Sequence, residues 1–198
     1  MATVPVPSED ALLLALLEQP DTRLRLAVIP LLIRHPELAA CVQSLVGQID
    51  PALVIELQTY YMAAVYLQRL WKTRLGFYLD TRTPLPDLFS RQLGLPPAEE
   101  RFGKHGLFDL ADDWQARSRY PFDRLAALNN TMDLFFEQLK LEPANHHAPT
   151  QVDQQRIEHF LLMYFRYSKR GDWKWQSLRA IFKKSAAHML PIALNKTR

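Results

Sequence analysis

The chain contains few of the residues on which common catalytic motifs depend. It has six glycines and one cysteine in 198 residues. Phosphate-binding loops need closely spaced glycines, because the backbone itself must approach the phosphates, and neither GxGxxG nor GxxxxGK[ST] occurs. The lone cysteine, Cys41, excludes an internal disulfide and a zinc site built on cysteine pairs. HExxH and GxSxG are missing too. We therefore predict no catalytic residue, no metal site and no cofactor.

The chain also lacks the marks of a secretory signal and of a membrane span. Its first ten residues contain no basic start and no long apolar run. The most apolar long stretch, 53–71, includes Glu56 and Arg69, which favours a core helix over a membrane helix. With a single cysteine, expected to be an inert core thiol, these absences lead us to expect a cytoplasmic protein with no membrane span.

Sequence patterns typical of β-strands are almost absent, whereas helical patterns are frequent. Apolar residues recur at helical spacing, and the fourteen prolines fall mostly between the periodic stretches. The predicted fold is therefore all-α, an irregular multi-helix bundle. The predicted helices are 9–19, 22–34, 36–47, 51–79, 86–93, 105–118, 121–141, 151–169 and 172–189.

Several helix ends carry local signals. Ser8 is a good N-cap for the first helix, because its hydroxyl can accept from a free backbone N–H. Pro30 falls inside the second helix and should bend it, since proline removes a backbone donor. Pro36 suits the first turn of the third helix, and Gly47 suits its end.

The longest predicted helix, 51–79, is apolar almost all round over its first half and should be central. We predict that four of its side chains are buried together, namely Leu57, Ala64, Leu67 and Trp71. The helix is also rich in the residue types that dominate protein-binding hot spots. These are Tyr60, Tyr61, Tyr66, Arg69, Trp71 and Arg74.

Residues 12–38, LLLALLEQPDTRLRLAVIPLLIRHPEL, resemble one HEAT-type helical hairpin. Pro20 and Asp21 stand at its turn, and Arg25 lies on its second helix. A solenoid requires about three or more stacked repeats, and no second copy follows at the expected period. The resemblance therefore implies a HEAT-like N-terminal hairpin within a bundle.

Charge divides the chain unevenly. Residues 151–198 hold ten Lys/Arg and three Asp/Glu, a net +7, whereas 1–150 hold fourteen and eighteen, a net −4. We predict a helical bundle core in 1–142, a linker in 143–150 and a basic helical pair in 151–198. The basic pair is expected to pack on the core, giving one domain overall. The asymmetry indicates an anionic partner or docking on the acidic body.

Basic and aromatic side chains are interleaved in the C-terminal region. Basic groups neutralise phosphates and aromatic rings stack on bases, so this composition fits nucleic acid or another anionic partner. The same aromatics equally fit a core face with the charges on the outside. The candidate binding residues are Arg166, Lys169, Arg170, Trp173, Lys174, Trp175, Arg179, Lys183 and Lys184.

Two smaller clusters offer metal-ligand chemistry. His146 and His147 are adjacent in the predicted linker, and Asp109 and Asp113 share a helical face. Adjacent histidines point away from one another, and paired carboxylates on an amphipathic helix are typical of a solvated edge. We interpret both clusters as solvent-facing and predict no metal there.

The sequence favours a non-enzymatic helical adaptor or accessory protein that acts through protein–protein interaction. An alternative is a nucleic-acid-binding or regulatory protein that uses the basic C-terminal helices. A further alternative is an enzyme whose carboxylates and histidines converge only in the folded chain. The sequence leaves the partner, the pathway and the oligomeric state open.

Overall fold

The computed structural model describes residues 8–79 and 83–142. These residues form eight α-helices and two short 3-10 helices, with no strand among them, which confirms the all-α prediction. The predicted linker, the predicted basic pair and the candidate binding residues of 151–198 lie outside the described residues. The helices are α1 Glu9–Leu17, α2 Thr22–Leu26, α3 Val28–Arg34, α4 Ala39–Val46, α5 Pro51–Leu70, α6 Lys72–Tyr78, α7 Lys104–Ala116 and α8 Arg124–Leu141.

The N-terminal region follows its local signals, with one correction. The Ser8 hydroxyl accepts from the backbone N–H of Ala11 at 3.3 Å, which confirms the predicted cap of α1. The predicted helix 22–34 is broken at Ala27 into α2 and α3, not bent at Pro30. Pro30 thereby falls in the first turn of α3, where a missing N–H costs nothing. Pro36 opens a 3-10 turn before α4.

Helix α5 is the centre of the fold and packs against α3 and α7. Leu57, Ala64 and Leu67 have no exposed area, as predicted. Trp71 is only partly buried, with its indole edge-on to Phe136 at a centroid distance of 5.6 Å. The predicted helix 51–79 is interrupted at Trp71, whose φ of −100° and ψ of 15° separate α5 from α6.

The tyrosines of α5 belong to the core. Tyr60, Tyr61 and Tyr66 are completely buried, so our interpretation of them as binding hot spots is wrong. A buried hydroxyl requires a hydrogen-bond partner, and each of the three has one. Tyr61 donates to the carbonyl of Pro86 at 2.8 Å, and Tyr66 donates to that of Pro96 at 2.7 Å.

Residues 83–99 form an irregular segment before α7, and the predicted helix 86–93 is wrong. The Asp87 carboxylate accepts from the backbone N–H of Ser90 at 3.1 Å and from that of Ala98 at 2.9 Å. These two bonds fold the segment back on itself, so only turns form there. Gly94 supports the reversal with a φ of +68°, a conformation that glycine adopts without strain.

Side-chain contacts are found at both ends of helix α8. Helix α8 starts after Asp123, which caps it by accepting from Ala126 N–H at 2.8 Å, and not at Pro121 as predicted. Its end is tied to α3 by a two-bonded ion pair, in which Arg34 donates to Glu142 at 2.7 and 2.6 Å. Such paired geometry gives Arg–carboxylate contacts their directionality.

The approach of α7 to α5 depends on glycine. A Cβ on Gly106 would lie 2.3 Å from the Tyr66 ring, and one on Gly103 would lie 2.7 Å from the Tyr66 carbonyl oxygen. Hydrogen is therefore the only side chain that these two positions accept at the present helix separation.

We expect Gly106→Ala to lower the free energy of unfolding by about 1–3 kcal/mol, because the added methyl overlaps a ring that is fully buried. Gly76→Ala is the matched control. No atom lies within 4 Å of a Cβ at that position, so alanine should stabilise α6 by about 0.5–1 kcal/mol. Urea denaturation of both variants measures the difference, and equal effects would contradict the close contact.

Candidate functional site

Charged side chains from three helices meet beside the N-terminal half of α5. Arg25 of α2 pairs with Glu56 of α5 at 3.0 Å, and Glu56 accepts from the Tyr60 hydroxyl at 2.7 Å. Arg124 of α8 joins the group through Trp114, because its guanidinium lies over the Trp114 ring and that ring meets Tyr60 edge-on. We refer to Arg25, Glu56, Tyr60 and Arg124 as the arginine cluster.

Aromatic rings enclose Arg124. Its guanidinium carbon lies 4.6 Å from the centre of the Trp114 ring and 5.4 Å from that of Phe122. Trp114 in turn meets Tyr60 edge-on at 5.4 Å. The guanidinium also donates to the Ser118 hydroxyl. Cation–π contacts of this kind hold a cation at low dielectric while leaving its N–H groups available.

Burial sets the protonation states within the arginine cluster. It raises the pKa of Tyr60, and the negative charge of Glu56 raises it further, so the hydroxyl remains a donor at neutral pH. Burial also lowers the pKa of Arg124, and the positive charge of Arg25 adds to this effect. Arg124 stays charged, because the ordinary pKa of an arginine lies far above neutrality.

An open groove of about 420 Å³ lies next to Arg124, where α7 ends and α8 begins. Its walls combine apolar side chains with two carboxylates and the arginine. The lining residues are Ala111, Asp112, Gln115, Pro121, Phe122, Asp123, Arg124 and Leu125.

Exposed aromatic rings are concentrated on α7 and on the connections at its two ends. Phe102 is 77% exposed, Phe108 43%, Tyr120 71% and Phe122 53%. We call these four residues the α7 surface. The sequence indicated no binding surface here, because an aromatic residue on an amphipathic helix is as typical of a core as of an exposed site.

The acidic pair of α7 is solvent-facing, as predicted. Asp113 forms an ion pair with Arg117 at 2.6 Å, and Asp109 lies 4.0 Å from the His105 ring. Both carboxylates are nearly half exposed. In residues 8–79 and 83–142, no group of three or more metal-ligating side chains is close enough to hold an ion. His146 and His147 lie outside the described residues.

Cys41 is held in a protonated form. Its thiol donates to a carboxylate oxygen of Glu9 at 3.1 Å. Burial and the adjacent Glu9 carboxylate raise the pKa of Cys41 to about 12, because both disfavour the thiolate. The thiolate is the nucleophilic form, so this environment suppresses reactivity.

We expect native Cys41 to react with a thiol reagent such as DTNB at pH 8 far more slowly than the same thiol in denaturant. The raised pKa reduces its thiolate fraction by roughly a thousandfold. Glu9→Gln should speed the native reaction, because it removes the neighbouring negative charge. Equal rates in the native and denatured chains would contradict this assignment.

Among the described residues, no single helix is both long and apolar enough to cross a membrane. No family model matches the chain, and neither a curated protein nor a solved structure shows significant similarity to it.

Proposed function

We propose that the chain is a non-enzymatic helical adaptor, which binds another protein through the α7 surface. The observation that carries this proposal is the distribution of exposed large hydrophobic side chains. Seven are found among the described residues, and four of them lie between Phe102 and Phe122. Exposed apolar groups concentrated in this way are typical of protein-binding sites, whereas scattered ones are ordinary.

The backbone before α7 adds support. Arg101 and Phe102 adopt left-handed conformations, with φ of 46° and 58°. Such a conformation costs about 1–2 kcal/mol for a residue with a Cβ. The Phe102 ring is largely exposed, so its own packing recovers little of this cost. Strain that is retained at an exposed aromatic residue is typical of a position kept for binding.

Two further parts of the proposal rest on packing and chemistry near the N-terminus. Helix α1 packs against α2 and α3 across the turn at Pro20 and Asp21, which supports a HEAT-like hairpin as the frame of the adaptor. The single cysteine of the chain, which cannot form an internal disulfide, supports a reducing compartment such as the cytoplasm.

The adaptor proposal predicts which substitutions abolish partner binding. We expect Phe102→Ser and Phe108→Ser, alone or combined, to reduce the amount of protein that co-purifies with the full chain by about tenfold or more. Loss of an aromatic side chain at a binding hot spot has an effect of this size. Phe77→Ser is the matched control, because Phe77 is 82% exposed but lies on α6. Quantitative mass spectrometry of the purified complexes measures the change.

Stability provides the necessary check on these variants. Their melting temperatures should stay close to that of the wild type, since substitutions at exposed positions usually change stability by less than about 0.5 kcal/mol. The proposal is overturned if no protein co-purifies with the wild type in a larger amount than in a control without the chain. It is equally overturned if the α7-surface variants and Phe77→Ser retain the same proteins.

The second candidate function is nucleic-acid binding by the C-terminal residues. The net charge of +7 in 151–198, interleaved with aromatics, favours it. Under this alternative, binding to single-stranded or duplex nucleic acid weakens steeply with salt, because each phosphate contact releases counterions. Trp173→Ala then costs about 1–3 kcal/mol of single-strand binding if its indole stacks on a base.

The adaptor proposal predicts a different result for the same region. We expect no salt-sensitive gel shift with the full chain. If the basic region docks on the acidic body, reversal of Lys169, Arg170 and Lys174 to Glu should lower the melting temperature. A shift that disappears in the triple reversal, with an unchanged melting temperature, would instead establish the nucleic-acid alternative.

A further inference from the structure

A partly covered aromatic face lies where α6 meets the second half of α8. The rings of Trp71 and Tyr78 lie 5.6 and 6.3 Å from the buried Phe136 ring, and both remain only partly buried. The Arg74 guanidinium carbon lies 3.8 Å from the centre of the Phe136 ring. We refer to these four residues as the α6–α8 face. Phe77 lies at its edge, with its ring 5.0 Å from that of Tyr78.

The charges around the α6–α8 face leave one cation in excess. Arg74 stacks on the rings, and no carboxylate of residues 8–79 or 83–142 forms an ion pair with it. The neighbouring positions of α6 and α8 add two further cations and two carboxylates, of which one pair is joined at 2.6 Å. A segment that covers the face should therefore bring one carboxylate of its own. The neighbouring charged residues are Lys72, Asp133, Glu137 and Lys140.

The chain continues for 56 residues beyond Glu142 and includes one strongly apolar segment. Residues 157–167, IEHFLLMYFRY, contain eight apolar or aromatic residues and a single carboxylate, Glu158. Glu158, Leu161 and Phe165 follow one another at intervals of three and four residues, so they share one side of the helix predicted there. A segment that is apolar almost all round requires other elements to cover it.

The point at which the chain leaves α8 decides between the two exposed apolar surfaces. Phe136 is about 9 Å from Glu142 along the helix axis, whereas Arg124, beside the groove and the α7 surface, is about 27 Å away. The 14 residues that precede 157–167 have a typical end-to-end distance of about 20 Å. The effective concentration of a tethered segment is highest at sites within that distance, which favours the α6–α8 face.

We propose that residues 157–167 of this chain dock on the α6–α8 face as a helix, with Leu161 and Phe165 against the aromatic rings and Glu158 paired with Arg74. The contact buries apolar surface on both sides. It also supplies the carboxylate that balances the charges of the face. This docking leaves the α7 surface free and does not depend on the adaptor proposal.

The experiment is hydrogen–deuterium exchange of the full chain, measured by mass spectrometry on peptides that cover 157–167. An isolated helix shorter than about 12 residues is marginal in water, so protection of these amides requires packing. We expect them to exchange at least about a hundredfold more slowly than in a synthetic peptide of the same residues. Protection should persist when NaCl is raised from about 0.1 M to about 1 M, because salt does not screen apolar contacts.

A matched pair of variants locates the contact. Tyr78→Ser removes a ring of the α6–α8 face and should speed exchange in 157–167 by about tenfold or more. Tyr120→Ser makes the same substitution on the α7 surface and should leave that exchange unchanged. Both variants should keep the slow thiol reaction of Cys41, which reports that the body of the protein remains folded.

A charge exchange tests the ion pair separately from the packing of the rings. Arg74→Glu and Glu158→Arg should each speed exchange in 157–167 by about threefold or more, because each places like charges opposite one another. The double variant restores opposite charges and should bring exchange to within about twofold of the wild type. Such a rescue distinguishes a direct contact from general loss of stability.

Four results would each overturn the proposal. The first is an unprotected segment 157–167 in the wild type. The second is an equal response to Tyr78→Ser and Tyr120→Ser, or no rescue in the double charge variant. The third is loss of protection at high salt, which would indicate electrostatic docking on the acidic body instead. The fourth is protection that falls on dilution of the protein, because a second copy of the chain would then cover the face.

Discussion

The burial of α5 on several sides is the constraint on which the rest of the structure depends. A helix that is covered all round has no solvent to satisfy its polar side chains, so its neighbours must do so. The Tyr61 and Tyr66 hydroxyls donate to backbone carbonyls of the irregular segment. The Gln68 side chain accepts from Leu85 N–H at 2.7 Å. The irregular segment is thus held in place by α5, although it contains little regular structure of its own.

Local signals in the sequence determine much of the helical framework. The cap at Ser8 and the burial of Leu57, Ala64 and Leu67 follow from hydroxyl chemistry and from helical spacing. The interruption at Trp71 and the turns after Asp87 do not. Asp87 bonds to the backbone of Ala98, 11 residues away, and no periodic pattern contains such a contact. Helix propensity was overridden there by a side chain that offered the backbone another partner.

The candidate sites were harder to predict, because the same residue types occur both in the core and on the exposed surface. Tyr60 and Tyr120 are alike in sequence, yet one is fully buried and the other is 71% exposed. The arginine cluster is similarly hidden from sequence analysis. Arg25 and Glu56 are 31 residues apart, and Arg124 comes from a third helix much later in the chain. These side chains come together only in the folded chain.

The ion pair between Arg34 and Glu142 has a kinetic consequence. It joins residues 108 positions apart, so forming it closes a very large loop of chain. Contacts of such long sequence separation form late, because the loop-closure entropy must be offset by structure that already exists. During synthesis, α3 therefore waits for the end of α8 to leave the ribosome before this contact can form. Until then the side of the bundle that α8 covers stays open to chaperones and proteases.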